Sequence, residues 1–183
     1  MTTSVNSATA AVRASLESDS QHGAVVPPLH LSSNFTFSGL GDKREYDYTR
    51  SGNPTRDALA TALAELEGGA GAVVTSSGMA ALNLVAQLLE PGDLLIAPHD
   101  CYGGTHRLFE SLAAKGHFEV LFVDQCDEQA IKRACARVPR LILVETPSNP
   151  LLRIVDIEEM EVAARAFVAL LAVDNKFMSP ALQ

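Results

Sequence analysis

Several short segments of this 183-residue chain gather residue types that can hold a charged, planar ligand. Ser76, Ser77, Gly78 and Met79 open an apolar helical run. Small residues there let the backbone approach a ligand, and the free amides at a helix start favour an anion such as phosphate. The same turn reads equally well as an N-cap serine before an ordinary helix. Its glycine spacing matches neither a dinucleotide fingerprint nor a P-loop, which speaks against a dinucleotide-binding dehydrogenase. Tyr102, in the segment HDCYGG, is an aromatic on a loop, suited to stacking on a flat ring or to packing under the glycine turn. Asp174 ends an apolar run, where a carboxylate needs a partner. A cationic ring nitrogen supplies one; a capped loop supplies another. Tyr48 and Arg50 lie in the polar segment GDKREYDYTR. There Arg50 is either a surface charge or a bidentate phosphate ligand.

The elements that position these residues follow from hydrophobic period and punctuation. Asn53 and Pro54 are an N-cap and a first helical position for TRDALATALAELE, which stops at Gly68-Gly69. GAVVT reads as a strand, MAALNLVAQLLE as a helix, and Pro91-Gly92-Asp93 as the turn that closes it. The alternation continues with LLIAP, GTHRLFESLAAKG, FEVLFVD, EQAIKRACARV, LILVET, IEEMEVAARAF and ALLAVD, strands and helices in turn. Nearly continuous apolar strands separated by helices predict a parallel sheet covered on both faces, an α/β fold. Ligands of such sheets bind beyond the carboxyl ends of the strands, where Ser77, Tyr102 and Asp174 fall. Residues 1–52 have few periodic apolar runs and read as an extended arm, with the α/β domain over 53–183. Together these groups describe a planar cofactor with a phosphate and a ring nitrogen, which is pyridoxal phosphate.

Composition narrows the classes. Hydrophobic residues make up 47% and charged residues 20%, as in a globular protein. Lys and Arg total 14 against 22 acids, for a net charge of -8, which opposes non-specific binding to nucleic acid. Cys101, Cys126 and Cys135 have no metal-ligand spacing and read as reduced thiols. The first twenty residues lack the pattern of a secretory signal, and no apolar stretch is long enough to span a bilayer, so a cytoplasmic protein is expected.

The segments DYTRSGNPTR, SSGMAA and ETPSNP, in this order, resemble the pyridoxal-phosphate enzymes of cysteine and methionine metabolism. The likeness runs from VVPPLHLSSNFTF to VDNKFMSPALQ, and APHDCYGGTHRLFESLA and ETPSNPLLRIVDI look most like the bacterial cystathionine γ-synthases. The resemblance implies the N-terminal half of a fold-type-I aminotransferase-like large domain, in a homotetramer of tight dimers. It assigns the phosphate turn to Ser77, Gly78 and Met79. It also implies that Tyr48 and Arg50 reach from the arm of one subunit to the phosphate in its neighbour. Tyr102 would stack on the ring and assist proton transfer, and Asp174 would meet the ring nitrogen. Asn149 and Arg107 would lie at the substrate. The implied reaction is γ-replacement, in which O-succinylhomoserine and cysteine give cystathionine. Related cystathionine lyases and homoserine sulfhydrylases share the pattern.

Three features depart from it. The family's Schiff-base lysine is expected in a serine-rich segment beyond Gln183, and none of Lys43, Lys115, Lys132 and Lys176 matches it. A non-catalytic, truncated fragment is therefore the alternative reading. Lys176 stands where the family has threonine; two residues beyond Asp174, it reads as that acid's partner, a surrogate Schiff-base lysine or an unselected change. Val168 stands where the family commonly ends a helix with glycine, so a β-branched residue must take a left-handed conformation.

Overall fold

The structure, a computed structural model, describes residues 6–178 and Pro180. The described chain divides into two compact units, one up to Val74 together with Pro180, and one from Thr75 to Met178.

The first unit holds helices α1 (Ser7–Arg13) and α2 (Pro54–Leu66). Asn6 caps α1 by accepting the Ala8 amide at 2.9 Å, a helix that the polar composition of this region concealed. Between the two helices the chain is held by isolated antiparallel bridges at Asn34–Tyr48 and Gly39–Asp42. Asn53 organises the end of this stretch. Its Oδ1 accepts the Thr55 amide at 2.9 Å, while its Nδ2 donates to the His30 carbonyl at 3.1 Å and to Thr49 Oγ1 at 2.7 Å. It is the only buried residue among those described in this unit. Val25, Val26, Leu29, Leu31 and Leu40 are all exposed.

The second unit contains a four-stranded, wholly parallel sheet of strands β1 (Leu94–Pro98), β2 (Glu119–Val123), β3 (Leu141–Glu145) and β4 (Leu170–Asp174). Their spatial order is β2-β1-β3-β4. Helices α3 (Gly78–Ala86), α4 (Gly103–Ala114), α5 (Glu128–Cys135) and α6 (Ile157–Ala166) alternate with them. Side chains of β1 and β3 point alternately to two cores, as the two-residue strand period requires. Leu95, Ala97, Leu141 and Leu143 pack with Leu82, Ala86 and Phe109 from α3 and α4. Leu94, Ile96, Ile142 and Val144 pack with Ile131, Cys135, Met160 and Ala164 from α5 and α6. The two central strands are buried throughout, which explains their unbroken apolar sequence. The α/β sheet with helices on both faces agrees with the sequence expectation.

One strand expected from the sequence is not formed. Residues 71–75 pair with no neighbour among the described residues, and Val73 is exposed. Apolar content suits a strand, but the strand exists only where another chain segment accepts its hydrogen bonds. Among the described residues, no helix is long and apolar enough to cross a membrane.

Helices α2 and α6 end in the same motif with different residues at its critical position. Gly68 takes φ +62° after α2, with the Gly69 amide donating back to the Ala64 carbonyl at 2.8 Å. Val168 takes φ +57° after α6, with the Ala169 amide donating to the Ala164 carbonyl at 2.9 Å. The left-handed conformation costs an L-residue about 1–2 kcal/mol, and branching at Cβ aggravates the clash. Glycine removes that strain but adds freedom to the unfolded chain, worth roughly 0.5–1 kcal/mol. Val168→Gly should therefore stabilise the chain by about 1 kcal/mol, raising its melting temperature by about 2–4 °C in a thermal scan. An unchanged or lower midpoint would contradict the strain assigned to Val168.

Candidate functional site at the carboxyl ends of the strands

The strand order contains one point where successive connections leave in opposite directions. From β1 the chain passes through α4 to β2 on one side, whereas α5 carries it back past β1 to β3 on the other. The crevice at the carboxyl ends of β1 and β3 is the topological switch point, where open α/β sheets place their ligands.

Glu145, the last residue of β3, holds this crevice together. Its side chain is only 1% exposed. The Tyr102 amide, just after β1, donates to its Oε1 and Oε2 at 3.3 and 3.0 Å. The Asn149 amide donates to Oε1 at 2.8 Å. A buried carboxylate needs such donors, because leaving it unpaired would be far more costly than the bonds themselves return. Burial pushes the Glu145 carboxyl up from its ordinary 4.5, and the charge of Asp174 adds to this against the two amides and Lys176. Asp174 is its in-register neighbour on β4. The sequence pointed to Asp174 and Asn149 but not to Glu145; its signal was an acid at the end of an otherwise apolar strand, LILVE.

A second tie lies alongside. Ser148 donates its hydroxyl to Asp100 Oδ2 at 2.7 Å and accepts the Arg153 amide at 3.2 Å. Arg153 is in turn paired with Asp124 at 2.7 Å, beyond the end of β2. The guanidinium holds the Asp124 carboxyl below the usual carboxylate range. Loops from three strands are thus fastened to one another by charge-assisted bonds.

Tyr102 is the N-cap residue of α4, and its ring folds back over the first turn of that helix. A Cβ on Gly104 would lie 2.5 Å from Tyr102 Cε1 and 3.1 Å from Met79 Sδ. Glycine at 104 is what lets the ring and the thioether approach the helix backbone. Met79 belongs to the first turn of α3, so the tyrosine and the Ser77-Gly78-Met79 turn are neighbours. Ser77 caps α3 by accepting the Ala80 amide at 3.1 Å. That leaves the Gly78 and Met79 amides without a protein acceptor among the described residues, a pair of donors suited to an anion. Arg107 lies on α4, exposed, with its guanidinium near Gly103.

Lys176 does not follow the strand alternation expected of it, because β4 ends at Asp174. Its amide donates to Asp174 Oδ1 at 3.3 Å, and its ammonium lies 4.6 Å from the centre of the Tyr102 ring instead of forming an ion pair with Asp174. In the first unit, Arg50 donates to the Tyr48 hydroxyl at 3.1 Å and lies over that ring, 5.2 Å from its centre. Thr49 and Arg50 present their carbonyls to Arg56, which holds this turn.

Ser77, Gly78, Met79, Tyr102, Asn149 and Asp174 therefore share the carboxyl edge of one sheet, and Tyr48 and Arg50 form a separate pair in the other unit. The donor set suits pyridoxal phosphate in kind: free helix amides for a phosphate, an aromatic face for a ring, and a strand-end acid for a ring nitrogen.

Two tests follow from the buried groups. Because folding raises the Glu145 pKa, the folded chain binds this proton more tightly, and its stabilising effect is present at low pH and lost as pH rises above 4.5. Glu145→Gln has no such loss, so its stability relative to the unmodified chain should improve across that window in denaturant titrations. Parallel pH profiles would contradict this. Burial and the nearby Glu145 charge also push the Cys101 thiol up to about 12, and Cys135 is raised by burial. Iodoacetamide should therefore label exposed Cys126 first, reaching the other two only on unfolding.

Known proteins share both the sequence and the fold of this chain. The family described as Cys/Met metabolism PLP-dependent enzyme matches residues 8–183. The chain is 60% identical over 177 residues to the cystathionine gamma-synthase of Escherichia coli (strain K12), covering 96% of this chain and 46% of that protein. It is 41% identical to the cystathionine beta-lyase of Lactococcus lactis subsp. cremoris (strain MG1363), again over 96% of this chain and 46% of the relative. The crystal structure of cystathionine gamma synthase from Xanthomonas oryzae pv. oryzae in complex with cystathionine superposes with a TM-score of 0.97 at 59% identity. That match covers 99% of this chain and 47% of the other. The chain thus spans about half the length of the relatives it matches. By the family model that matches nearly its whole length, and by the fold it shares, this chain belongs to the Cys/Met metabolism family of pyridoxal-phosphate-dependent enzymes.

Proposed function

We propose that this chain supplies the phosphate- and ring-binding half of a pyridoxal-phosphate enzyme that makes cystathionine from O-succinylhomoserine and cysteine by γ-replacement. The observation carrying this reading is the likeness to cystathionine gamma-synthase along almost the whole chain. In this reading the Gly78 and Met79 amides and the Ser77 cap hold the phosphate. The Tyr102 ring faces the cofactor ring and moves a proton through its hydroxyl. The Asp174 carboxylate keeps the ring nitrogen protonated. Asn149 and Arg107 orient the amino-acid substrate. Tyr48 and Arg50, on an arm formed by residues 1–52, reach the phosphate in a neighbouring subunit of a tetramer. When bound, pyridoxal phosphate acts as an electron sink for carbanions at Cα and Cβ of the substrate. Glu145 contributes by fixing Tyr102 and Asn149 rather than by touching substrate.

A second reading, a chain that binds cofactor without turning substrate over, is favoured by its lysines. Lys43 lies in the first unit, Lys115 caps the end of α4, and Lys132 is on α5. Only Lys176 reaches the carboxyl edge of the sheet, and there it faces Tyr102.

Titration of the chain with pyridoxal phosphate, followed by absorbance and then by cystathionine formation, separates the readings. Saturable binding that Asp174→Asn weakens about tenfold is expected, since an ion pair of this kind is worth about 1.4 kcal/mol. Binding without cystathionine formation favours the second reading. No saturable binding, or binding indifferent to Asp174, contradicts both.

A further inference from the structure

We infer that Lys176 is a tethered occupant of the cofactor site, lying on the Tyr102 face beside Glu145 and Asp174 and lowering the affinity of that site for a pyridine ring. The inference rests on the cofactor-site reading above and adds a determinant of affinity to it.

The geometry supplies each part. The Lys176 ammonium is 4.6 Å from the centre of the Tyr102 ring and 5.5 Å from that of Phe177. A cation at this distance from an aromatic face is attracted by the negative face of the ring. Tyr102 has little freedom to turn away. Its amide is bonded to Glu145, and its ring is packed over Gly104, leaving no room for even a methyl group between them. The lysine is anchored at its base as well, through the bond from its amide to Asp174 Oδ1 at 3.3 Å. Two carboxylates, Glu145 and Asp174, lie side by side at the ends of β3 and β4. Such a pair of like charges favours a nearby cation.

A protonated pyridine ring would use the same three features: an aromatic face, a carboxylate at the strand end and an excess of negative charge. Lys176 meets them with its own ammonium. A ring entering the site must displace the ammonium from Tyr102 and then bear its positive charge nearby. Removing the amine removes both obstacles. The Lys176 side chain is exposed, so it can swing into solvent, which makes the effect one of competition rather than of a closed pocket.

The test uses pyridoxine 5′-phosphate, which carries the ring and the phosphate but no aldehyde and so forms no bond with any lysine. Its affinity is measured by calorimetry on the 183-residue chain, on Lys176→Thr and on Lys176→Arg. Lys176→Gln replaces the first variant if circular dichroism shows that it does not fold. The expected result is binding about tenfold tighter to Lys176→Thr than to the unmodified chain, with Lys176→Arg no tighter than the latter. Equal affinities for all three chains would overturn the inference while leaving the cofactor site standing. Weaker binding to Lys176→Thr would overturn it too, because the lysine would then be holding the ligand. Absence of binding to every variant would overturn the cofactor-site reading, and this inference with it. Borohydride reduction with pyridoxal phosphate provides an independent arm. A single reduced adduct on Lys176 would show that the amine takes the aldehyde rather than the place of the ring, and would also overturn the inference.

Discussion

The buried carboxylate of Glu145 is the interaction on which the rest of the site depends. It accepts amides from the loop after β1 and from the loop after β3, the two strands from which the chain departs in opposite directions. Nothing in the sheet itself joins those two loops, since a parallel ladder bonds strands and leaves their ends divergent. A carboxylate that is 1% exposed has no water to solvate it, so the two amides are obligatory partners. The positions of Tyr102 and Asn149 follow from that requirement. The Ser148–Asp100 and Arg153–Asp124 bonds repeat the device further out and leave the crevice with little freedom to rearrange.

Close approach is the second constraint. Tyr102, Gly104 and Met79 come from the starts of two helices, and they meet only because position 104 has no side chain. The same contact brings the free amides of the α3 turn beside an aromatic ring. Two free amides and a ring face adjoin through a single absent Cβ. Where Lys176 completes the arrangement, it brings a positive charge to a place already lined by acids.

The two units differ in how they are stabilised. From Thr75 onward, paired apolar strands pack between helices and bury Leu95, Ile96, Ile142 and Val144 almost completely. Up to Val74, Asn53 is the only buried residue among those described, and the turn that carries Tyr48 and Arg50 is held by hydrogen bonds to its side chain and to Arg56. Such polar fastening in contact with solvent contributes little net stability. Several large apolar side chains there remain exposed.

The strands and helices of the second unit were legible in the sequence because a fully buried parallel strand has no polar alternation, and because α3, α5 and α6 each begin at a capping side chain. The strain at Val168 was legible for a local reason too: it stands at a helix end of the kind that glycine commonly closes in a left-handed conformation. Candidate residues at the carboxyl ends of strands could also be named, since topology puts ligands there. Local signals failed where a partner decides the outcome. Residues 71–75 have a strand's composition but no pairing neighbour among the described residues, and α1 forms in a stretch whose composition suggested none. Glu145 looked like one strand-end acid among several until the fold enclosed it between two loops. One of the readings of Lys176, partner of Asp174, extended strand alternation two residues past the end of β4. Its ammonium went to the Tyr102 ring instead, a contact between residues 74 positions apart that only the packed sheet brings together.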